Sequence, residues 1–201
     1  DGVLVHTEPL YFEASQKSLH EFFGLSLDFD VYMEIMARGG TAWEGAQKEG
    51  FSEQEIAQAR KQRNLYYQDF LQTREIEIPH VKEILQELSK AYNMAIITTS
   101  RRLDFELIHQ GRGIVDFMDF VLCEGEYPRA KPYPDPYLKG LQLFNATKQE
   151  SIVVEDSQRG LASAVNAGIE CVIVHNEFTA THDFSKATHK IASLSELVHL
   201  L

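Results

Sequence analysis

The feature that most constrains the fold is an alternation of short apolar runs with helical patterns after Pro79. The runs are MAIIT (94–98), FVL (120–122), SIVV (151–154) and CVIV (171–174), and segments with helical spacing separate them. Short strands that are apolar throughout are typical of a parallel sheet covered by helices on both faces. The pattern therefore predicts an α/β fold with a doubly wound parallel, Rossmann-like sheet.

The stretch from Pro9 to about Thr73 has a different sequence pattern, with helical spacing of apolar residues and no strand candidate. Its last helical segment opens with Ser52 and Glu55, the spacing of a capping box. This pattern predicts an all-helical domain inserted into the α/β core. The predicted domains are an α/β core over residues 1–9 and 77–201 and a helical cap over 10–76.

Composition narrows the classes of partner. The chain has 19 Lys+Arg against 30 Asp+Glu, a net charge of −11, so a nucleic acid is not expected as a partner. The two cysteines, Cys123 and Cys171, lie far apart in apolar surroundings and are expected to be buried, reduced thiols. No membrane span is expected, because no apolar run reaches about 18 residues. A cytoplasmic protein, monomeric and with no membrane partner, is the expectation.

Polar residues follow the predicted strands, where parallel sheets bind their ligands. The opening run VLV (3–5) reads as the end of a buried strand that turns into a helix, and Asp1 lies just before it. The residues placed at the carboxyl edge of the other strands are Thr98, Thr99, Ser100, Lys131, Glu155 and Asp156. Hydroxyls, one lysine and several carboxylates are thus predicted to gather on a single edge of the sheet.

Each of these residues also has an ordinary structural interpretation. Thr98 could cap the next helix, and Lys131 could be a solvated loop residue, although Pro132 stiffens its backbone. Glu155 and Asp156 could form a surface pair with Asp156 as a helix cap. Against that, they directly follow four apolar residues, where unpaired carboxylates are unfavourable, and together they could surround one hard cation.

The motifs around these residues resemble those of the haloacid dehalogenase-like hydrolase superfamily, in the branch of small-molecule phosphatases and β-phosphoglucomutases. DGVLVHTEPLY is similar to the opening motif, an Asp-x-Asp-Gly-Val followed by an acidic residue and Thr/Ser-Glu. MAIITTS resembles the second motif, AKPYPDPY the third and VVEDSQRGLASAVNAG the fourth. The resemblance implies a Rossmann-like core with an inserted helical cap.

The resemblance also implies roles. Asp1 would be the general acid and base, and its backbone carbonyl would join Glu155 and Asp156 in binding Mg²⁺. The implied phosphate-site residues are Thr98, Thr99, Ser100 and Lys131, with Lys131 offsetting negative charge. In this family the nucleophile is an aspartate two residues before the Asp-Gly, so the nucleophile and the central first strand are expected upstream of Asp1.

The cap has one notable segment, MARGGTAWE (36–44), where two glycines interrupt a helical pattern. It is either a loop that brings Arg38 to the substrate or an ordinary turn with a solvated arginine. Arg60 and Arg63, on the long cap helix, are expected to face solvent.

Two departures from the family pattern bear on the function. His6 stands where the family has an acidic residue, and Tyr11 stands where β-phosphoglucomutases carry a histidine. The second departure favours a Mg²⁺-dependent phosphatase acting on a small phosphorylated metabolite through an aspartyl-phosphate. The alternatives are a β-phosphoglucomutase-like sugar phosphomutase and a non-catalytic phosphate-binding protein of the same fold.

Overall fold

The computed structural model describes all residues, 1–201, and divides the chain into two compact units. One unit comprises residues 1–6 and 77–201, and the other comprises residues 7–76. The domain boundaries expected from the sequence, 1–9 with 77–201 and 10–76, stay a prediction. The first helix begins at Glu8.

The unit of residues 7–76 is entirely helical. Its helices are α1 (Glu8–Phe23), α2 (Phe29–Ala37), α3 (Glu44–Lys48) and α4 (Glu53–Thr73). The capping box predicted at the start of α4 is present, with the Ser52 hydroxyl accepting from the Glu55 amide and the Glu55 carboxylate accepting from the Ser52 amide. Helix α1 packs along α4 and buries the apolar faces of both.

The other unit alternates helices with strands. Its strands are β1 (Ala95–Ile97), β2 (Phe120–Leu122), β3 (Ile152–Glu155), β4 (Glu170–Val174) and β5 (His189–Ile191). Its helices are α5 (Val81–Leu88), α6 (Arg102–His109), α7 (Asp135–Phe144), α8 (Gln158–Ala167) and α9 (Leu197–Leu200). All four apolar runs form strands, as predicted. The fifth strand escaped prediction because its sequence, HKI, contains one apolar residue and two exposed polar ones.

Every strand pairing is parallel, which confirms the predicted α/β class. The strands form two sheets, β1–β2 and β3–β4–β5, instead of one continuous sheet. No ladder joins β1 to β3, and the carbonyl of Ile97 at the end of β1 accepts a hydrogen bond from the Lys131 ammonium. The central first strand that the family resemblance implies upstream of Asp1 stays a prediction.

The opening residues do not form the end of a strand, so that prediction is wrong. Residues 1–5 fold into a turn, in which the Gly2 amide donates to the Val5 carbonyl at 2.7 Å and the Val3 amide donates to the Asp1 carbonyl at 2.8 Å. These local hydrogen bonds use backbone amide and carbonyl groups that, in a strand, would bond to a neighbouring strand. Only Val5 forms a bridge, antiparallel to Glu77.

The two cysteines are buried and free, as predicted. Burial raises the pKa of Cys123 to about 11 and that of Cys171 to about 12. Both thiols therefore stay protonated at neutral pH, which argues against a cysteine nucleophile. None of the helices combines the length and apolar character that crossing a membrane requires.

Candidate active site

Seven of the eight predicted site residues lie in the α/β unit, where the strands place them close together. Thr98 follows β1 directly, Glu155 ends β3, and Asp156 follows it at the start of the segment into α8. Lys131 lies between β2 and α7. The carboxyl ends of β1 and β3 thus present the threonine and the two carboxylates on the same side, as a parallel arrangement requires.

The Asp1 side chain is oriented by two hydroxyl groups. Its Oδ2 atom accepts hydrogen bonds from Thr98 Oγ1 at 3.2 Å and from Ser100 Oγ at 2.7 Å. Thr98 is itself fixed, because its amide donates to the Leu122 carbonyl at 2.9 Å and its carbonyl accepts from the Tyr127 hydroxyl at 2.7 Å. The carboxylate of Asp1 is therefore held in a defined position relative to the end of β1.

A buried ion pair occupies the centre of the site. The Lys131 ammonium lies 2.6 Å from Glu155 Oε1 and 2.9 Å from the carbonyl of Ile97, and its side chain is 10% exposed. Glu155 Oε1 also accepts from the Tyr137 hydroxyl at 2.5 Å, and Oε2 accepts from Ser157 Oγ at 3.1 Å. Burial by itself would raise the pKa of Glu155, but the Lys131 charge and these hydrogen bonds hold that pKa below its usual range.

This lowered pKa predicts how the stability of the protein depends on pH. Ionised Glu155 contributes stability above the pKa of glutamate in the unfolded chain, about 4.3, and that contribution is lost as pH falls through the lower folded value. Replacing Tyr137 with phenylalanine removes one hydrogen bond to the ionised form. We expect Tyr137→Phe to lower the free energy of unfolding at pH 7 by about 1.5–3 kcal/mol, measured by urea denaturation.

The same variant should begin to lose stability at a higher pH than the wild type in an acid series, because the pKa of Glu155 rises. Tyr133→Phe provides the control, since the Tyr133 side chain is 51% exposed and lies in the same segment. Identical acid profiles for Tyr137→Phe and the wild type would contradict the assigned hydrogen bond.

The structure adds a positioning role for Glu155 to the predicted one. Its two oxygens accept from the Lys131 ammonium, two hydroxyls and the Asp156 amide, so the carboxylate positions Lys131. No group of three or more histidine, cysteine, aspartate or glutamate side chains is arranged to hold a metal. Mg²⁺ is usually held by one or two carboxylates with waters and substrate phosphates, and Asp156 with the Asp1 carbonyl fits that donor set. A direct or water-mediated role for Glu155 in binding the ion stays a prediction.

Asp156 lies directly against the turn that begins the sequence. A Cβ atom on Gly2 would lie 1.7 Å from Asp156 Oδ2, and the φ of Gly2 is +68°, so only glycine permits this approach. Asn176 Nδ2 donates to Asp156 Oδ2 at 3.1 Å and to the Gly2 carbonyl at 3.4 Å. The close approach places the Gly2 backbone beside the carboxylate of Asp156.

Sequence reasoning missed Asn176, Tyr137 and Arg159. Asn176 follows β4, so the rule that found the residues after β1 and β3 would have found it had it been applied to CVIV. Arg159, in the first turn of α8, donates to Thr99 Oγ1 at 3.3 Å and places a positive charge beside that threonine. No residue pattern in the sequence indicates that Tyr137 contacts Glu155 or that Arg159 contacts Thr99.

In the helical unit, Arg38 is exposed and pairs with Glu44 in the turn between α2 and α3. Its contact with a substrate stays a prediction. The expectation that Arg63 faces solvent is wrong, because the residue is 8% exposed, while Arg60 is half-buried. Arg63 lies on the same face of α4 as the buried residues Ile56, Ala59, Tyr67 and Phe70.

Comparison with known proteins decides the family. Residues 1–174 match the family described as Haloacid dehalogenase-like hydrolase. The chain belongs to this family. The predicted superfamily and fold are thereby confirmed, and the chain is an enzyme of the phosphatase branch, as its relatives show.

Among the similar proteins, Protein CbbY of Rhodobacter capsulatus is 27% identical over 209 positions, which cover 97% of this chain and 91% of that protein. Phosphorylated carbohydrates phosphatase of Thermotoga maritima is 29% identical over 193 positions, covering 88% and 83%. A crystal structure of a CbbY variant from Rhodobacter sphaeroides, in complex with xylulose-(1,5)bisphosphate, has a TM-score of 0.84 at 22% identity, covering 98% of this chain and 92% of that one.

Proposed function

We propose that this protein is a Mg²⁺-dependent phosphatase that hydrolyses a small phosphorylated metabolite through an aspartyl-phosphate. The observation that carries the proposal is the hydrogen-bonded Asp1 carboxylate at the same sheet edge as the buried Lys131 ammonium. A phosphoryl transfer needs a proton donor for the leaving oxygen and a positive charge for the phosphoryl oxygens. These two residues meet those needs.

Asp1 serves as the general acid and then as the general base. The Thr98 and Ser100 hydroxyls orient its carboxylate, so that it can protonate the leaving oxygen and later remove a proton from water. The backbone of Thr99, together with the Thr98 hydroxyl and Ser100, binds phosphoryl oxygens. Lys131 offsets negative charge, and Glu155 keeps the ammonium in place.

The nucleophile in this proposal is an aspartate located two residues before Asp1 in the full-length protein. A carboxylate that attacks phosphorus forms an acyl-phosphate and divides one difficult hydrolysis into two easier steps. Asp156, the Asp1 carbonyl and that aspartate would hold Mg²⁺. When bound, the ion would neutralise charge that develops on the phosphoryl group.

A phosphorylated sugar is the substrate class that the comparisons support. One relative is named for phosphorylated carbohydrates, and another is seen with a sugar bisphosphate. Release of inorganic phosphate by the full-length protein, with and without Mg²⁺, should be measured on sugar phosphates, phosphoglycolate and nucleoside monophosphates. Turnover that requires Mg²⁺ supports the proposal. Transfer of the phosphoryl group between two sugar positions would instead support the phosphomutase, and binding without turnover the non-catalytic alternative.

Asp156→Asn tests the metal assignment. We expect Mg²⁺-dependent turnover to fall about a hundredfold, because one charged oxygen donor is replaced by a neutral amide of the same size. Steady-state kinetics over a range of Mg²⁺ concentrations measures the change. Asp183→Asn is the matched control, since Asp183 is an exposed residue of the same unit. A wild-type rate in Asp156→Asn at all Mg²⁺ concentrations would exclude Asp156 as a ligand.

A further inference from the structure

The segment that follows β4 contains an asparagine whose side chain lies between two parts of the proposed metal site. Strand β4 pairs with β3 in a parallel register that sets Ile173 opposite Glu155. The residues that come after the two strands therefore reach the same edge of the sheet, and Asn176 arrives there next to Asp156. Asn176 is half-buried, and none of the steps of the proposed reaction uses it.

The hydrogen bonds of Asn176 determine which way its amide group points. Its Oδ1 atom accepts from the Phe178 amide at 2.9 Å, and a backbone amide can only donate, so this atom must be the oxygen. The nitrogen Nδ2 therefore faces the other way, towards Asp156. Its two hydrogens match two acceptors, Asp156 Oδ2 at 3.1 Å and the Gly2 carbonyl at 3.4 Å. Asn176 thus bridges the Asp156 carboxylate and the turn of residues 1–5.

The backbone that carries Asn176 is fixed to Asp156 as well. Asn176 caps a short 3₁₀ helix, Glu177–Thr179, and Thr179 at the end of this helix is 4% exposed. The Thr179 hydroxyl donates to the Asp156 carbonyl at 2.6 Å, and the Thr179 amide donates to the Asn176 carbonyl at 3.0 Å. The distance between Asn176 and Asp156 is therefore set by backbone contacts as well as by the rotation of side chains.

The other end of the bridge is the turn that carries Asp1. The Gly2 backbone lies against Asp156, since a Cβ atom on Gly2 would be 1.7 Å from Asp156 Oδ2. Gly2 directly follows Asp1, so a hydrogen bond to the Gly2 carbonyl limits how far the Asp1 carbonyl can move from the Asp156 carboxylate. One side chain thus keeps two oxygen donors from distant parts of the chain at one spacing. Mg²⁺ needs such a fixed spacing, because it demands nearly ideal octahedral geometry.

A neutral donor suits this position better than a charged one. The Asp156 carboxylate and the Asp1 carbonyl are donors proposed for Mg²⁺, and a lysine or arginine between them would repel the ion. An amide N–H group holds a carboxylate oxygen without adding charge. Groups that hydrogen-bond to metal ligands orient them, and the loss of such a group lowers metal affinity by about 10–100-fold.

We propose that Asn176 is a positioning residue, which holds the Asp156 carboxylate and the Gly2 carbonyl at the spacing that Mg²⁺ binding requires and thereby sets the affinity for the ion. The inference rests on the proposed function, because it takes Asp156 as a ligand of Mg²⁺. In this role Asn176 contacts neither the ion nor the substrate. Loss of its amide group should weaken metal binding in a protein that stays folded.

Metal binding is measured directly with Mn²⁺, which prefers the same oxygen ligands as Mg²⁺ and can be followed by electron paramagnetic resonance of the free ion. Titration of the full-length protein without substrate gives the dissociation constant, and Asp156→Asn identifies the binding that belongs to this site. We expect Asn176→Ala to raise that dissociation constant about tenfold. Asn93→Ala, at an exposed position of the same unit, should match the wild type. Circular dichroism checks that each variant is folded.

Asn176→Ser separates the bridge from the helix cap. Serine keeps an oxygen that can accept from the Phe178 amide, but its side chain is too short to reach Asp156 and Gly2. Weakened Mn²⁺ binding in both Asn176→Ser and Asn176→Ala supports the bridge. Wild-type affinity in either variant would overturn it. If only Asn176→Ser kept that affinity, the residue would serve as a cap alone.

Turnover distinguishes this inference from the proposed function. The Mg²⁺ concentration that gives half-maximal turnover should rise about tenfold in Asn176→Ala, in parallel with the Mn²⁺ dissociation constant. Mg²⁺-dependent turnover together with an unchanged Mn²⁺ affinity would overturn the role of Asn176 and leave the proposed function intact. Absent turnover in a wild type whose Mn²⁺ affinity depends on Asn176 would contradict the proposed function and support the positioning role.

Discussion

Replacement of Lys131 with methionine is expected to lower turnover about a thousandfold and to destabilise the fold at the same time. The ammonium offsets charge at the phosphoryl position, and removal of one such electrostatic contact reduces kcat by about 10²–10³. The change also leaves the Glu155 carboxylate, 6% exposed, without its ion-pair partner. Breaking a buried pair in this way lowers the free energy of unfolding by about 3–5 kcal/mol. Phosphate release and urea denaturation measure the two effects.

The matched control for this variant is Lys90→Met. Lys90 pairs with Glu87 on the surface, where both side chains are more than half exposed, so its loss should change stability by at most about 1 kcal/mol and leave turnover unchanged. Equal stabilities for Lys131→Met and Lys90→Met would mean that the buried pair is not formed as described. Full turnover in Lys131→Met would remove the lysine from the mechanism.

Gly160→Ala is expected to be nearly as damaging, although it adds a single methyl group. A Cβ atom on Gly160, in the first turn of α8, would lie 1.9 Å from the carboxyl carbon of Glu155 and 2.0 Å from Oε2. Glu155 cannot withdraw, because Lys131 and Tyr137 hold the carboxylate from the other side. Either α8 moves or the ion pair breaks. We expect the free energy of unfolding to fall by about 3 kcal/mol, with a parallel loss of turnover.

Gly45→Ala separates this clash from a general effect of replacing a helical glycine. Gly45 lies in α3 and has no heavy atom within 4 Å of an added Cβ, so alanine there should stabilise the helix by about 0.5–1 kcal/mol. Thermal unfolding of the two variants side by side makes the comparison. A Gly160→Ala protein as stable and active as the wild type would show that the Glu155 carboxylate lies elsewhere.

The features of this protein that could be predicted from the sequence are those that residues close together along the chain determine. Four apolar runs predicted the strands β1 to β4, and the capping box at Ser52 predicted the start of α4. The residues that follow β1 and β3 were predicted to share one edge, because parallel strands all end on the same side of the sheet. The strand β5 could not be found this way, since an exposed edge strand needs few apolar residues.

What only the tertiary structure decided is the partner of each charged side chain. The sequence predicts Glu155 as a metal ligand, and the fold adds an ion pair with Lys131 from the segment before α7 and a hydrogen bond from Tyr137 of α7. Arg63 looked solvent-exposed, but the packing of α1 on α4 buries it beside Tyr11. Sequence by itself determined the elements and the polar edge, because periodicity and strand direction are local properties. The electrostatic roles required the fold, because burial and charge partners come from residues that are distant along the chain.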